Sequence, residues 1–134
     1  MVFEDYFVGR PQNYKQQIFS ELARMGQRVP ETVDMGYHLC YGSPRDEHLV
    51  MPKDRTDTGY FQPLRELKVA PNTEIYLGLI HFDDQTGDAQ RMATAKQFIP
   101  IFGVATECGW GRTEPTRVEG LLRSHATAVQ FLEQ

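Results

Sequence analysis

The chain has 134 residues, of which 40% are hydrophobic and 24% are charged, and its formal net charge is −4. This size and composition suit one ordinary globular domain, and the acidic balance gives no electrostatic reason to expect nucleic acid or an anionic membrane as a partner. No stretch approaches the roughly 18 consecutive apolar residues of a membrane span.

The first half of the chain predicts a helix, a strand and a weakly patterned stretch. Residues 12–28 form the predicted helix, because apolar side chains recur there at helical spacing. Val33–Cys40 is the predicted strand. Residues 41–71 are rich in Gly, Pro and charges. This stretch is long for a structureless loop, so we expect it to contain functional residues, a short helix near Tyr60–Leu67, or the place of a missing element.

The second half predicts an alternation of strands and helices. The strands are Glu74–His81 and Phe102–Cys108, and a helix from Thr86 to about Ile99 separates them. A last helix begins near Pro115, where a proline in the first turn costs little. Strand, helix, strand, helix at this spacing indicates a βαβα unit, and therefore an α/β fold with parallel strands and flanking helices.

Cysteine content and the N-terminus bear on location. The two cysteines, Cys40 and Cys108, are expected to be thiols rather than a disulfide. The acidic N-terminus lacks the basic and then apolar pattern of a secretion signal. We therefore expect a reducing, cytoplasmic location.

Each of the three predicted strands ends in a ligand for a soft metal. His38 and Cys40 end the first strand, His81 ends the second and Cys108 ends the third. The carboxyl ends of parallel strands meet at one edge of the sheet, and His38 and Cys40, two residues apart, would share a face. Imidazole and thiolate are ligands that Zn²⁺ prefers. A plainer interpretation also stands, since cysteine is often a small buried hydrophobe and a strand histidine is often a core residue.

Three segments resemble a known enzyme family. Gly36–Gly42, Tyr76–His81 and Gly103–Arg112 resemble the C-terminal barrel of cobalamin-independent methionine synthase. The chain resembles more closely the small uncharacterised proteins grouped with that enzyme and with uroporphyrinogen decarboxylase. The resemblance extends from about Tyr14 to Val129, and it implies the later strands of a (β/α)8 (TIM) barrel.

The resemblance also implies a metal site. In the synthase, zinc is held by a His-x-Cys pair, a glutamate and the cysteine of a Cys-Gly motif, and it activates the homocysteine thiol for methyl transfer. The matching residues here are His38, Cys40 and Cys108, with Gly109 following the last of them.

The departures from the family are equally specific. A complete barrel has about 250 residues, so residues 1–134 are expected to form a single domain that is a partial barrel. A family helix and strand have no counterpart between Asp54 and Arg55, and that strand carries the glutamate ligand. The fourth ligand is therefore open among four residues chosen by chemistry, which are Glu47, Asp54, His81 and Glu107. No folate is expected, because the resemblance lacks the folate-binding half.

Other residues are candidates for contact with a substrate. His81 ends a strand, Trp110 lies in a glycine turn, and Arg112 follows it and has the fork that binds a carboxylate. Each has a plainer interpretation: a hydrogen-bonding residue, a cover for the barrel end and an exposed arginine. His125 lies on the apolar stripe of the last helix and is expected to be structural.

Two functions remain open from the sequence. The first is a small-molecule enzyme of the zinc-dependent thiol methyltransferase type, truncated. The second is a binding protein, or an enzyme of different chemistry, that reuses the barrel pocket. In both cases we expect a small-molecule substrate and a homo-oligomer, because an isolated partial barrel exposes strand edges.

Overall fold

The computed structural model of the protein describes residues 12–39, 52–106, 111 and 113–133. The chain divides into two units, Met1–Tyr41 and Gly42–Gln134. The described part of the first unit contains one helix. The described part of the second unit contains a two-stranded sheet with helices.

The first helix, α1, spans Tyr14–Gly26, which confirms the helix predicted from the apolar spacing. All of α1 lies in the described part of the chain, and none of its residues is buried. The hydroxyl of Tyr37 donates a hydrogen bond to the Leu22 carbonyl at 2.9 Å. A Cβ on Gly26 would lie 2.2 Å from that hydroxyl, so glycine permits the close approach of the tyrosine.

The strand predicted over Val33–Cys40 is wrong for the seven residues that the structure describes. Val33–Leu39 has no strand, and every one of these residues is exposed. A strand is stable only when a hydrogen-bonded neighbour and a covered face support it, and no described strand pairs with this segment. Alternation of residue types alone therefore overestimated its tendency to form a strand.

The second unit begins with a short helical region. Helix α2 spans Thr58–Phe61, and a 3₁₀ helix continues it over Gln62–Glu66, which confirms the short helix expected near Tyr60–Leu67. The Asp57 carboxylate caps α2 by accepting a hydrogen bond from the Tyr60 amide at 3.1 Å.

A parallel βαβα unit follows, as predicted. Its elements in chain order are β1 (Tyr76–Ile80), α3 (Gln85–Ala95), β2 (Gly103–Thr106) and α4 (Pro115–Leu132). The two strands are parallel, with Tyr76 opposite Gly103 and Ile80 opposite Thr106, and the register shifts between Gly78 and Ile80. Because the strands run in the same direction, their carboxyl ends lie side by side.

The core of this unit lies between the sheet and its helices. Leu79 and Ile80 of β1 and Val104 of β2 are buried against α3, α4 and Phe61 of α2. The α3 contributions are Met92 and Ala95, and α4 contributes Ala128. Full burial of each of the larger side chains, those of Val, Leu, Ile, Phe and Met, stabilises the fold by about 1.5 to 3 kcal/mol.

Candidate functional site

The carboxyl edge of the sheet carries a group of polar and charged side chains, most of which are buried. His81 directly follows β1 and is 0% exposed. Its backbone N–H donates a hydrogen bond to Oδ1 of Asp88, in the first turn of α3, at 3.0 Å. The sequence predicted that His81 would lie at this edge. The structure places it there with its side chain shielded from solvent.

Arg91 on α3 is the centre of this group, and its side chain is 0% exposed. Nε donates to the Leu79 carbonyl at 2.9 Å, and one terminal nitrogen donates to the Lys53 carbonyl at 2.7 Å. The other terminal nitrogen pairs with Asp84 at 2.7 Å and with Asp88. All three guanidinium nitrogens are therefore used within the protein, which is how a buried arginine is made tolerable.

Asp88 is the less well satisfied partner. Its side chain is 4% exposed, and within the described residues its Oδ2 is buried without a hydrogen-bond partner. Burial raises the pKa of the Asp88 carboxyl above its ordinary value, although the hydrogen bonds from His81 and Arg91 oppose that shift. The second carboxylate of the group, Asp84, also raises the pKa of Asp88, because two negative charges close together repel each other.

The loop after β1 is held from several sides. Lys53 Nζ donates to the Phe82 carbonyl at 2.9 Å, and the Arg117 guanidinium lies 4.7 Å from the centroid of the Phe82 ring. Asp83 has a φ of 58°, a left-handed conformation that aspartate tolerates better than most residues. These contacts fix the path of the chain from the end of β1 to the start of α3.

The segment before α2 is hydrogen-bonded to helix α3. The Lys53 carbonyl accepts from Arg91, and the Thr56 carbonyl accepts from the Thr94 hydroxyl at 2.8 Å. Both bonds join residues 38 positions apart. Asp54, one of the four candidates for a fourth metal ligand, lies between these two anchors and is exposed.

The other predicted site residues are divided between the described and undescribed parts of the chain. His38 is described and exposed. The rest lie outside the described residues, and they are Cys40, Glu47, Glu107, Cys108, Trp110 and Arg112. Within the described residues, no group of three His, Cys, Asp or Glu side chains is arranged to hold a metal ion.

His125 occupies the structural place expected from the sequence. Its Nε2 lies 2.9 Å from the Val104 carbonyl. A carbonyl oxygen only accepts, so Nε2 carries the proton. The ring links α4 to β2.

Asp84, Asp88 and Arg91 were not among the site residues predicted from the sequence. Their positions, i, i+4 and i+7, place them on one side of a helix. The sequence does contain a signal for this group, which is two acidic residues and an arginine at that spacing directly after a buried strand. The strand and helix were predicted correctly, but the burial of their charges depends on contacts with Lys53 and Leu79, which no local pattern indicates.

The geometry therefore describes an anchored sheet edge more than an open catalytic cleft. The hydrogen bonds described for Arg91 are all made within the protein, and His81 is shielded from solvent. Among the described residues, no helix is long and apolar enough to cross a membrane.

Comparison of the chain with protein-family models, curated proteins and solved structures found no match.

Proposed function

We propose that the chain is a truncated small-molecule enzyme of the zinc-dependent thiol methyltransferase type, built on the later strands of a partial TIM barrel. The observation that carries the proposal is the parallel β1–α3–β2–α4 unit. Its strands end beside two of the motifs that resemble the synthase, since His81 follows β1 and Cys108 is two residues beyond the end of β2. Parallel α/β sheets place their sites at this edge.

The proposed zinc ligands are His38, Cys40 and Cys108, as the resemblance implies. One imidazole and two thiolates are a donor set that suits zinc, and a catalytic zinc site keeps a position open for substrate. Zinc, when bound, supplies Lewis acidity that favours the deprotonated form of a substrate thiol. The fourth ligand stays open among the four candidates named from the sequence.

The proposed substrate contacts are His81, Trp110 and Arg112. Arg112 would pair with a carboxylate of the substrate, since guanidinium binds carboxylates through two parallel hydrogen bonds. Trp110 would line the pocket. His81 would contribute from the end of β1, although a change in the conformation of residues 81–84 must first give the substrate access to its buried ring.

Zinc content tests this proposal directly. Freshly purified protein is expected to contain about one zinc per chain, as a site with three protein ligands would hold. Cys40→Ser and Cys108→Ser should each lose most of it, whereas His125→Gln, which alters a histidine outside the ligand set, should keep it. Metal-free protein whose melting temperature is unchanged by added zinc would exclude a zinc site.

One observation favours the alternative, a binding protein or an enzyme of different chemistry. The charged side chains Arg91 and Asp88 at the sheet edge are buried in internal contacts, which suits a structural use of this edge. Thermal shift measurements separate the two functions, because a ligand that binds only the native state raises the melting temperature. Stabilisation by homocysteine supports the methyltransferase type. Stabilisation by neither homocysteine nor folate, in protein that contains zinc, favours different chemistry.

We also propose that the protein acts as a homo-oligomer. The described residues of the first unit expose several large apolar side chains, which are Ile18, Phe19, Met25, Val33, Met35, Tyr37 and Leu39. Large apolar side chains left exposed in this number are a basis for self-association, because extended apolar surface marks interaction sites.

A further inference from the structure

Within the described residues the sheet has two strands, so each strand has an outer edge. A free edge attracts further strands because it presents unpaired N–H and C=O groups. In a parallel ladder, a residue forms hydrogen bonds to the C=O of the residue before its partner and to the N–H of the residue after its partner. The backbone groups that would bond a further strand in this way can be located on β1 and β2.

On β1, the relevant groups are the Leu79 carbonyl and the His81 N–H, which flank Ile80. The His81 N–H donates its hydrogen bond to Asp88, so it is not used to bond β2. The ladder hydrogen bonds that pair Ile80 with Thr106 are therefore made by the N–H and C=O of Ile80 itself. The Leu79 carbonyl and the His81 N–H therefore face away from β2. Arg91 donates to the first at 2.9 Å, and Asp88 accepts from the second at 3.0 Å.

On β2, the relevant group is the Val104 carbonyl. The Gly103 N–H donates to the Ile75 carbonyl at 2.8 Å, so the peptide groups of Gly103 face β1. Those of the next residue, Val104, point to the opposite side, because backbone groups alternate along a strand. The His125 ring donates to this outward carbonyl at 2.9 Å.

We propose that Arg91, Asp88 and His125 close the two edges of the sheet, each standing in for an atom of a neighbouring strand. Arg91 supplies a donor, Asp88 an acceptor and His125 a donor, in the places where a third and a fourth strand would supply them. The sheet then takes no strand from a second copy or from another chain at these positions. This role does not depend on zinc or on methyl transfer.

Helix α3 also holds the chain at the point where the resemblance implies that a strand is missing. Lys53 and Thr56 lie on the two sides of the junction between Asp54 and Arg55, and their carbonyls are bonded by Arg91 and Thr94 of α3. α3 thus anchors the chain across this junction and also occupies the edge of β1.

Amide hydrogen exchange on the full chain tests the closure of β1. The measured quantity is the ratio of the exchange rate of the His81 amide to that of the Gly103 amide, which is bonded within the sheet. Global destabilisation raises both rates together, so the ratio reports only the local bond. Asp88→Ala should raise it about tenfold, since a hydrogen bond to a charged group is lost.

Two further variants keep the result interpretable. Asp88→Asn retains an acceptor oxygen and should raise the ratio by less than Asp88→Ala. Glu119→Ala, which breaks an exposed ion pair with Arg123 on α4, should leave it unchanged. An unchanged ratio in Asp88→Ala would overturn the closure of β1. If Asp88→Ala does not fold, Asp88→Ser takes its place. A ratio in Asp88→Ser equal to that in Asp88→Asn would then overturn the closure of β1.

Nitrogen NMR of the His125 imidazole tests the closure of β2. The neutral ring is expected to carry its proton on Nε2, with the resonance shifted by a hydrogen bond to a carbonyl. A ring protonated on Nδ1 alone cannot donate to Val104 and would overturn this half of the proposal.

Discussion

At the scale of single residues, the decisive feature is a carboxylate that is buried with one oxygen unsatisfied. Asp88 accepts two hydrogen bonds on Oδ1, whereas Oδ2 has no partner among the described residues. Asp57 shows the opposite case, because its hydrogen bond from the exposed Arg55 side chain lowers the pKa of its carboxyl. The two aspartates therefore respond to pH with opposite signs.

Replacement of Asp88 by asparagine should change how stability depends on pH. The folded-state pKa of Asp88 is raised, so above pH 3.8 and up to that folded pKa the folded chain holds more protons than the unfolded chain. The contribution of Asp88 to the free energy of unfolding therefore falls as pH rises through this window. Urea unfolding from pH 4 to 7 should show wild type losing stability relative to Asp88→Asn with rising pH.

Asp57→Asn is the matched control for that measurement. Its lowered folded-state pKa means that the Asp57 contribution is present above pH 3.8 and is lost as pH falls through the folded value. Wild type should therefore gain stability relative to Asp57→Asn with rising pH. Parallel curves for wild type and Asp88→Asn would show that burial does not perturb Asp88.

At the scale of elements, the second half of the chain could be predicted because its local signals agree. β1, α3, β2 and α4 each have apolar spacing and punctuation by Gly or Pro that favour one structure. Val33–Leu39 has no partner strand among the described residues, and it forms no strand. Of the site, the sequence could predict only that His81 lies at the carboxyl edge of the sheet. The contacts of Arg91 could not be predicted, because they join residues far apart in sequence.

Gly87 in the first turn of α3 shows how tightly an element is matched to its loop. A Cβ at this position would lie 2.3 Å from Oδ2 of Asp84, the oxygen that pairs with Arg91. Gly87→Ala should therefore lower the free energy of unfolding by about 1 to 3 kcal/mol, even though alanine in a helix is normally favourable by about 1 kcal/mol.

Denaturant unfolding measures this effect. Thr86→Ala, at an exposed position of the same turn, is the control and should change stability little. Equal or greater stability of Gly87→Ala would mean that Asp84 moves aside without loss of its pairing with Arg91.

At the scale of the whole molecule, edge closure changes the reason to expect self-association. The sequence predicted a homo-oligomer from exposed strand edges, but helix side chains occupy those edges at Leu79, His81 and Val104. The exposed apolar side chains of the first unit, such as Phe19 at 65% exposure, are then the better basis for assembly.

Light scattering at micromolar concentration checks the oligomer. Wild type is expected to have the mass of a homodimer, and Phe19→Glu should shift it towards the monomer because a charge replaces apolar contact area. Glu21→Gln, at an exposed position of the same helix, should keep the dimer. A monomeric mass for wild type would contradict the assembly.

The position of Arg91 also determines how the molecule comes apart. One guanidinium joins the stretch around Lys53, the end of β1 and the first turns of α3. None of these can open alone without leaving a buried charge or carbonyl unpaired, so fluctuations that would release one must release all three. We therefore expect them to unfold as one cooperative unit, with residues 52–57 sharing the opening free energy of the sheet rather than that of a loop.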